Sequence, residues 1–235
     1  MQADYGLDAP GVVRNFAIAG AVCAAGALVL ALTGALAAEG LLALCAAMFW
    51  AAAVGMLRSS RRGKLVERDR LLDALGLRGD ETVLDVGCGR GLLLNGAAKR
   101  LPDGHAVGVD VWSSADQSGN SRRAALANAE AEGVAERVEV LDADMRDLPF
   151  DDGTFDVVVS SIAIHTLPDR DEREQACLEI ARVVRPGGRV AVLDFRVTHE
   201  YQLAFEDAGL VDVTRSGRSF RMYPPVRVVR ARRPG

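Results

Sequence analysis

Two long apolar runs, residues 15–37 and 41–57, stand almost back to back, parted only by Ala38, Glu39 and Gly40. Neither run shows a polar face, so neither can lie as a surface helix with one side in water. A bilayer core about 30 Å thick needs about 20 helical residues, and about 17 still suffice. The pair therefore reads as a transmembrane helical hairpin. Small residues recur through the first run at near-helical spacing (Ala17, Gly20, Ala24, Ala27, Ala31, Ala35), which would let two backbones approach closely. Phe49 and Trp50 fall inside the second run, away from the interface where an aromatic belt would sit.

Basic residues set the orientation. Arg58, Arg61, Arg62 and Lys64 follow the second run closely, whereas the connection carries only Glu39. That bias puts the rest of the chain, and with two spans the N-terminus as well, on the cytoplasmic side. Two other readings compete. Ala35-Leu36-Ala37 looks like a signal-peptide cleavage site, but the stretch before the first run lacks a basic start and a second apolar run follows at once. Burial of both runs inside a soluble dimer is the other alternative, and their lack of a polar face counts against it.

Beyond residue 57 the composition changes, and charged residues crowd the chain. The net charge of −4 leaves no global basic field to recruit nucleic acid, so no nucleic-acid partner is expected. Cysteines at positions 23, 45, 88 and 177 form neither a CxxC pair nor a Cys/His cluster, and no metal site is expected. The expected organisation is a tail (1–14), the membrane hairpin (15–57), a basic Gly-containing linker (58–63) and one domain (64–235). In that domain a helix over 65–77 precedes alternating strands (82–86, 106–111, 138–141, 157–160) and helices (92–100, 121–132, 173–184). Arg185-Pro186-Gly187-Gly188 ends the last of these helices. A strand (189–195), a helix (201–208) and two closing strands (211–215, 226–231) complete the pattern. Repeated βα units imply an α/β fold with a mostly parallel, helix-covered sheet and an antiparallel edge.

The chemistry concentrates where the first strand meets its helix. Val83-Leu84-Asp85-Val86-Gly87-Cys88-Gly89-Arg90-Gly91 places three glycines in a bend where a ligand can approach the backbone. Such bends at the carboxyl ends of strands are nucleotide-like cofactor sites. Gly87, Gly89 and Gly91 spell G-x-G-x-G, and Leu92 breaks the dinucleotide G-x-G-x-x-G pattern. Cys88 could be a nucleophile, but a small packing residue suits that position better.

The string resembles the first motif of class I S-adenosylmethionine-dependent methyltransferases. Four further segments extend the likeness across roughly 64–234: Gly108-Val109-Asp110, then Ala143-Asp144-Met145-Arg146-Asp147-Leu148-Pro149-Phe150, then Phe155 to Ser160, then the Arg182 to Gly188 turn. The resemblance implies a Rossmann-like, seven-stranded sheet with helices on both faces, preceded here by two transmembrane helices. It also implies S-adenosyl-L-methionine as cofactor and a site made of Asp85, Gly87, Cys88, Gly89, Gly91, Asp110, Val111, Asp144, Met145 and Ser160. Asp85 would hold the loop and face the cofactor ammonium. Asp110 would accept the ribose hydroxyls, Asp144 the adenine amino proton, and Ser160 would open the loop nearest the methyl. Ala143 departs from the family's usual Gly.

A general base is required only for an acceptor that carries a proton. His165 is the one weak catalytic candidate, with structural duty the competing reading; His199 ranks lower and His105 reads as a solvated loop residue. Trp112 and Gln117, in the polar stretch 112–120, could touch the cofactor. No Asn-Pro-Pro-Tyr or Asp-Pro-Pro-Tyr follows the fourth strand, which disfavours amide or base nitrogens as acceptors. The expected activity is methyl transfer to a small-molecule or lipidic acceptor at the cytoplasmic face of the membrane. The alternatives are a catalytically silent membrane scaffold of the same fold and an NAD-dependent oxidoreductase.

Overall fold

The structure, a computed structural model, describes residues 3–113 and 118–235. The apolar runs form two helices, α1 (Pro10–Thr33) and α2 (Leu36–Arg58), each long and apolar enough to cross a membrane. Pro10 takes the first turn of α1, where a missing N–H costs nothing, and Gly34 stops the helix at φ 76°. With 24 residues, α1 is about 36 Å long. Gly20 makes room for the Trp50 indole, whose N–H donates to the Ala17 carbonyl at 3.4 Å. The small-residue stripe thus receives an aromatic ring rather than a bare backbone. Leu28, Leu32, Leu36, Leu44 and Met48 all face outward, Leu32 at 83% exposure.

The expected linker at 58–63 does not interrupt the helix. Ser59–Gly63 form a π-helical turn that runs straight into α3 (Lys64–Leu75), making one helix of 40 residues from Leu36 to Leu75. Contacts from far along the chain hold this turn in place. The Ser59 hydroxyl accepts the Tyr223 N–H at 3.0 Å, Ser60 bonds to Asp8 at 3.1 Å, and a Cβ on Gly63 would collide with the Arg221 carbonyl. A glycine and two serines that look like a loop in isolation are buried here instead.

Seven strands follow: β1 (Thr82–Val86), β2 (His105–Asp110), β3 (Val138–Asp142), β4 (Phe155–Ser161), β5 (Val184–Asp194), β6 (Val211–Arg215) and β7 (Arg227–Arg232). They form one sheet in the order β3-β2-β1-β4-β5-β7-β6. Strand β7 is antiparallel to β5 and β6 and lies between them, so the antiparallel strand is one place in from the edge expected. Helix α3 covers the sheet together with α4 (Leu92–Ala98), α5 (Arg122–Ala131), α6 (Arg170–Val183) and α7 (Thr198–Asp207). Alternation along the strands feeds two cores. Val83, Val157 and Val159 join Leu72, Leu94 and Ala129 on one face. Leu84, Val86 and Val158 join Ile180, Tyr201 and Phe205 on the other.

The turn expected at residues 185–188 is absorbed into β5 as an irregularity opposite Phe155 and Val157. Gly187 adopts φ 76° there and donates to the carbonyls of Arg233 and Pro234, so the C-terminus completes the ladder. Strand order reverses between β1 and β4, which opens a crevice at their carboxyl ends.

Candidate functional site

A cavity of about 350 Å³ occupies that crevice. Its floor is the bend after β1. Gly87, Gly89 and Gly91 have φ values of 71°, 52° and 81°, which a side chain would strain. A Cβ on Gly87 would also strike Ala163. The N–H groups of Gly87 and Cys88 both donate to the Val109 carbonyl, at 2.9 and 3.0 Å, tying the bend to β2.

Two carboxylates brace it. Asp85 is 2% exposed, and one of its oxygens accepts the Leu94 N–H at 2.8 Å, satisfying a donor in the first turn of α4. Burial pushes its pKa up to about 7, and the Asp110 charge adds to the effect. Asp110 ends β2 and accepts from Gly89 N–H at 2.8 Å, Trp112 N–H at 2.6 Å and the Asn120 amide at 3.3 Å. Asn120 is the more informative of that pair. Its Oδ1 is buried, lines the cavity and has no hydrogen-bond partner among the described residues. A buried acceptor left unpaired beside a carboxylate is where a ligand hydroxyl would donate.

The expected residues separate cleanly. Asp85, Gly87, Cys88, Gly89, Asp110, Val111, Asp144 and Met145 all line the cavity; Gly91, Ser160 and His165 do not. Gly91 instead caps α4. Ser160 is fully buried within β4, and its neighbour Ser161 takes the place on the wall. Cys88 is packed under Gly108, and burial raises its thiol pKa well above the ordinary range, which argues against a nucleophile. Asp144 is bonded to Arg146 through its side chain and accepts the Arg146 N–H at 2.9 Å, and the guanidinium lowers its pKa.

His165 lies among wall residues, since Ala163, Thr166 and Leu167 line the cavity, yet its ring is occupied elsewhere. Its Nδ1 is 3.0 Å from Asp194, and its face meets the Phe195 ring edge-on with centroids 4.6 Å apart. Buried Asp194 also accepts the Tyr201 hydroxyl at 3.1 Å. This geometry favours the positioning role over the catalytic one. Trp112 sends its indole N–H to Asp142. Gln117 lies outside the described residues, as do 114–116.

A second wall was not foreseen. Asp8, Lys64 and Met222 also line the cavity. Lys64 is 5% exposed, and its three ammonium protons go to the Tyr5 carbonyl (2.8 Å), the Gly6 carbonyl (2.9 Å) and the Asp8 carboxylate (3.0 Å). The tail is thereby strapped across the domain. Asn128 exchanges two hydrogen bonds with the Asp4 backbone, at 2.8 and 2.9 Å, and Leu7 and Ser118 bond reciprocally. No local pattern announces these residues, because their partners lie more than 50 positions away.

Residues 84–192 match the family model described as "Methyltransferase domain". The chain is 37% identical over 133 residues to the ubiquinone/menaquinone biosynthesis C-methyltransferase UbiE of Dinoroseobacter shibae, over 55% of this chain and 48% of that protein. It is 35% identical over 130 residues to the 27-O-demethylrifamycin SV methyltransferase of Amycolatopsis mediterranei, over 54% and 43% respectively. The chain thus spans about half the length of the curated relatives it matches. Among solved structures, a SAM dependent methyltransferase from Aquifex aeolicus superposes with TM-score 0.58 at 24% identity, over 75% of this chain and 94% of that one. Geranyl diphosphate C-methyltransferase from Streptomyces coelicolor A3(2) superposes with TM-score 0.56 at 20% identity, over 72% and 78%. These two likenesses are of fold.

Proposed function

We propose that this chain, an enzyme whose residues 84–192 are an S-adenosylmethionine-dependent methyltransferase domain, is anchored by α1 and α2 and methylates a small apolar or lipidic acceptor at the cytoplasmic face of the membrane. One observation carries the reading. The cavity lining includes, besides the glycine bend, Asp8 and Lys64, which stand just outside the two ends of the hairpin. An acceptor entering there arrives at the base of α1 and α2. Leu92, Leu93, Ile162, Leu167 and Met222 give the wall an apolar character, which suits an acceptor of the kind found in ubiquinone/menaquinone biosynthesis, as in the relative's name.

The residues present fit the cofactor. Asp110 and the unpaired Asn120 Oδ1 would take the ribose hydroxyls, Asp85 the ammonium, and Asp144 with the Met145 backbone the adenine edge. When bound, the cofactor supplies a methyl group already activated as part of a sulfonium. What remains for the protein is to align the acceptor and exclude water, which can contribute several kcal/mol. His165 serves this alignment by fixing the loop after β4 through Asp194.

Titrating S-adenosylhomocysteine into the detergent-solubilised full chain tests the site. Asp110→Ala should weaken binding by about 10- to 100-fold, the value of a charge-assisted hydrogen bond or two; undiminished affinity would refute the assignment. Membranes incubated with methyl-labelled cofactor should carry label in the lipid extract. Label found only in protein or water-soluble fractions would refute the acceptor class.

A further inference from the structure

The connection between β6 and β7 folds back along the hairpin and not over the sheet. Tyr223 packs its ring against Gly55 in the last turn of α2, and its N–H donates to Ser59. The Arg221 carbonyl fills the space a Gly63 side chain would need, and the Ser219 hydroxyl donates to Glu67 at 2.6 Å. Gly55 lies three residues before Arg58, so Tyr223 sits about 4–5 Å along the helix axis from the first basic residue.

What this connection leaves in the open is unusual for a loop that packs so closely. Phe220 is 78% exposed and Tyr223 46%. Arg58, Arg61, Arg62 and Arg218 are exposed and make no ion pair among the described residues, and Arg221 reaches Glu67 only at 3.9 Å. Between the two aromatics, Met222 turns inward and lines the cavity. A single short loop therefore joins the cavity wall to a patch of bare aromatics and free guanidinium groups. Tyr223 joins that patch to α2 at Gly55, next in sequence to the exposed Val54.

We infer that the loop 216–226 is a second membrane-docking element, which seats Phe220 and Tyr223 in the headgroup layer and pairs Arg218 and Arg221 with anionic lipid. The inference rests on the membrane reading of α1 and α2. Rings with one apolar and one wet side favour that depth, and arginines beside them favour negative lipid over neutral lipid. With the loop docked, Met222 holds the cavity at the bilayer surface, where a membrane-dissolved acceptor can enter sideways.

The test uses full-length protein with Cys23 and Cys45 changed to alanine, Cys88 and Cys177 being buried. A polarity-sensitive fluorophore is placed at Phe220→Cys or, separately, at Leu28→Cys on α1. Each protein is reconstituted into phosphatidylcholine vesicles with or without phosphatidylglycerol, with a nitroxide quencher just below the headgroups. The Phe220 label should be quenched roughly twofold more strongly when phosphatidylglycerol is present, and Arg218→Glu with Arg221→Glu should remove that difference. A Leu28 label buried in lipid beside a Phe220 label in water would overturn the docking loop alone. Both labels in water would overturn the hairpin reading as well. Shielding of Phe220 in detergent that grows with protein concentration would assign the patch to a second copy of the chain, and the lipid inference would fall.

Discussion

The two walls of the cavity are built on different principles. The glycine-bend wall comes from contiguous chain: strand β1, three glycines at positive φ and helix α4, with Asp110 from the adjacent strand. Its bonds are mostly to backbone. The second wall gathers Asp8, Lys64 and Met222 from three distant places; the buried Lys64 ammonium ties down the tail, and Ser60 holds Asp8 as well. A wall of the first kind is specified by short-range geometry and tolerates little change of shape. A wall of the second kind depends on long-range partners, and on the hairpin keeping its two ends side by side.

The sharpest way to break the first wall is Gly87→Val. A β-branched residue at φ 71°, driven into Ala163, should cost more than about 3 kcal/mol and abolish binding of S-adenosylhomocysteine. Thermal unfolding with and without ligand would check this, and a bound, stable variant would show that the bend is not the floor of the site. For the second wall, Lys64→Met leaves two carbonyls and the Asp8 carboxylate without their donor. Since Asp8 is about a third exposed, solvent screens part of the loss, and about 2 kcal/mol is expected. Hydrogen exchange at Leu7 should rise while exchange in β1 stays unchanged. If β1 loosens as well, the two walls are one cooperative unit and the comparison fails.

Acidity probes the first wall more gently. Asp85 in the free protein titrates near pH 7, well above an unfolded aspartate, so its contribution to stability is complete below about pH 4 and is lost as pH rises through 7. A cofactor ammonium beside it would favour the ionised form and expel the proton. Affinity for S-adenosylhomocysteine should therefore fall by up to about tenfold for each pH unit below 7. Asp85→Asn should flatten that profile; a flat profile in the unmodified protein would take the ammonium away from Asp85. The smallest effect is expected at Asn120→Ala, which removes one neutral acceptor and a long 3.3 Å bond to Asp110, and should weaken binding by about fivefold. Calorimetry at constant pH would measure it, and no change would return Asn120 to the role of a simple brace for Asp110.

Much of the first wall was readable before any coordinates. Glycines at 87, 89 and 91 after an apolar strand, with a carboxylate ending the next strand, describe a bend whose hydrogen bonds close onto that adjacent strand. The alternating strands and most helix positions followed from periodicity in the same way. Errors came where a residue's partner was remote. Residues 58–63 looked like a linker because Ser and Gly are poor helix signals and no apolar residue falls among them, but Tyr223, Asp8 and the Arg221 carbonyl bury Ser59, Ser60 and Gly63 in a π-helical turn while the arginines stay exposed. Side-chain direction is a separate matter: Ser160 is buried within β4 beside the wall residue Ser161, and the His165 ring is engaged by Asp194.

From its order of residues alone, this chain is committed to an apolar helical pair and a βα-repeat sheet with a glycine bend at its reversal point. Those features depend on periods of 2 and 3.6 and on backbone angles, which act over a few residues. Only the folded chain decides that the tail crosses the domain to Lys64, that the β6–β7 connection reaches back to α2, and that Asn120 is left with an unpaired oxygen. The reason is physical: the first two are contacts between segments far apart in sequence, whose partners meet only in the folded chain, and the third is a burial that only the closed crevice imposes.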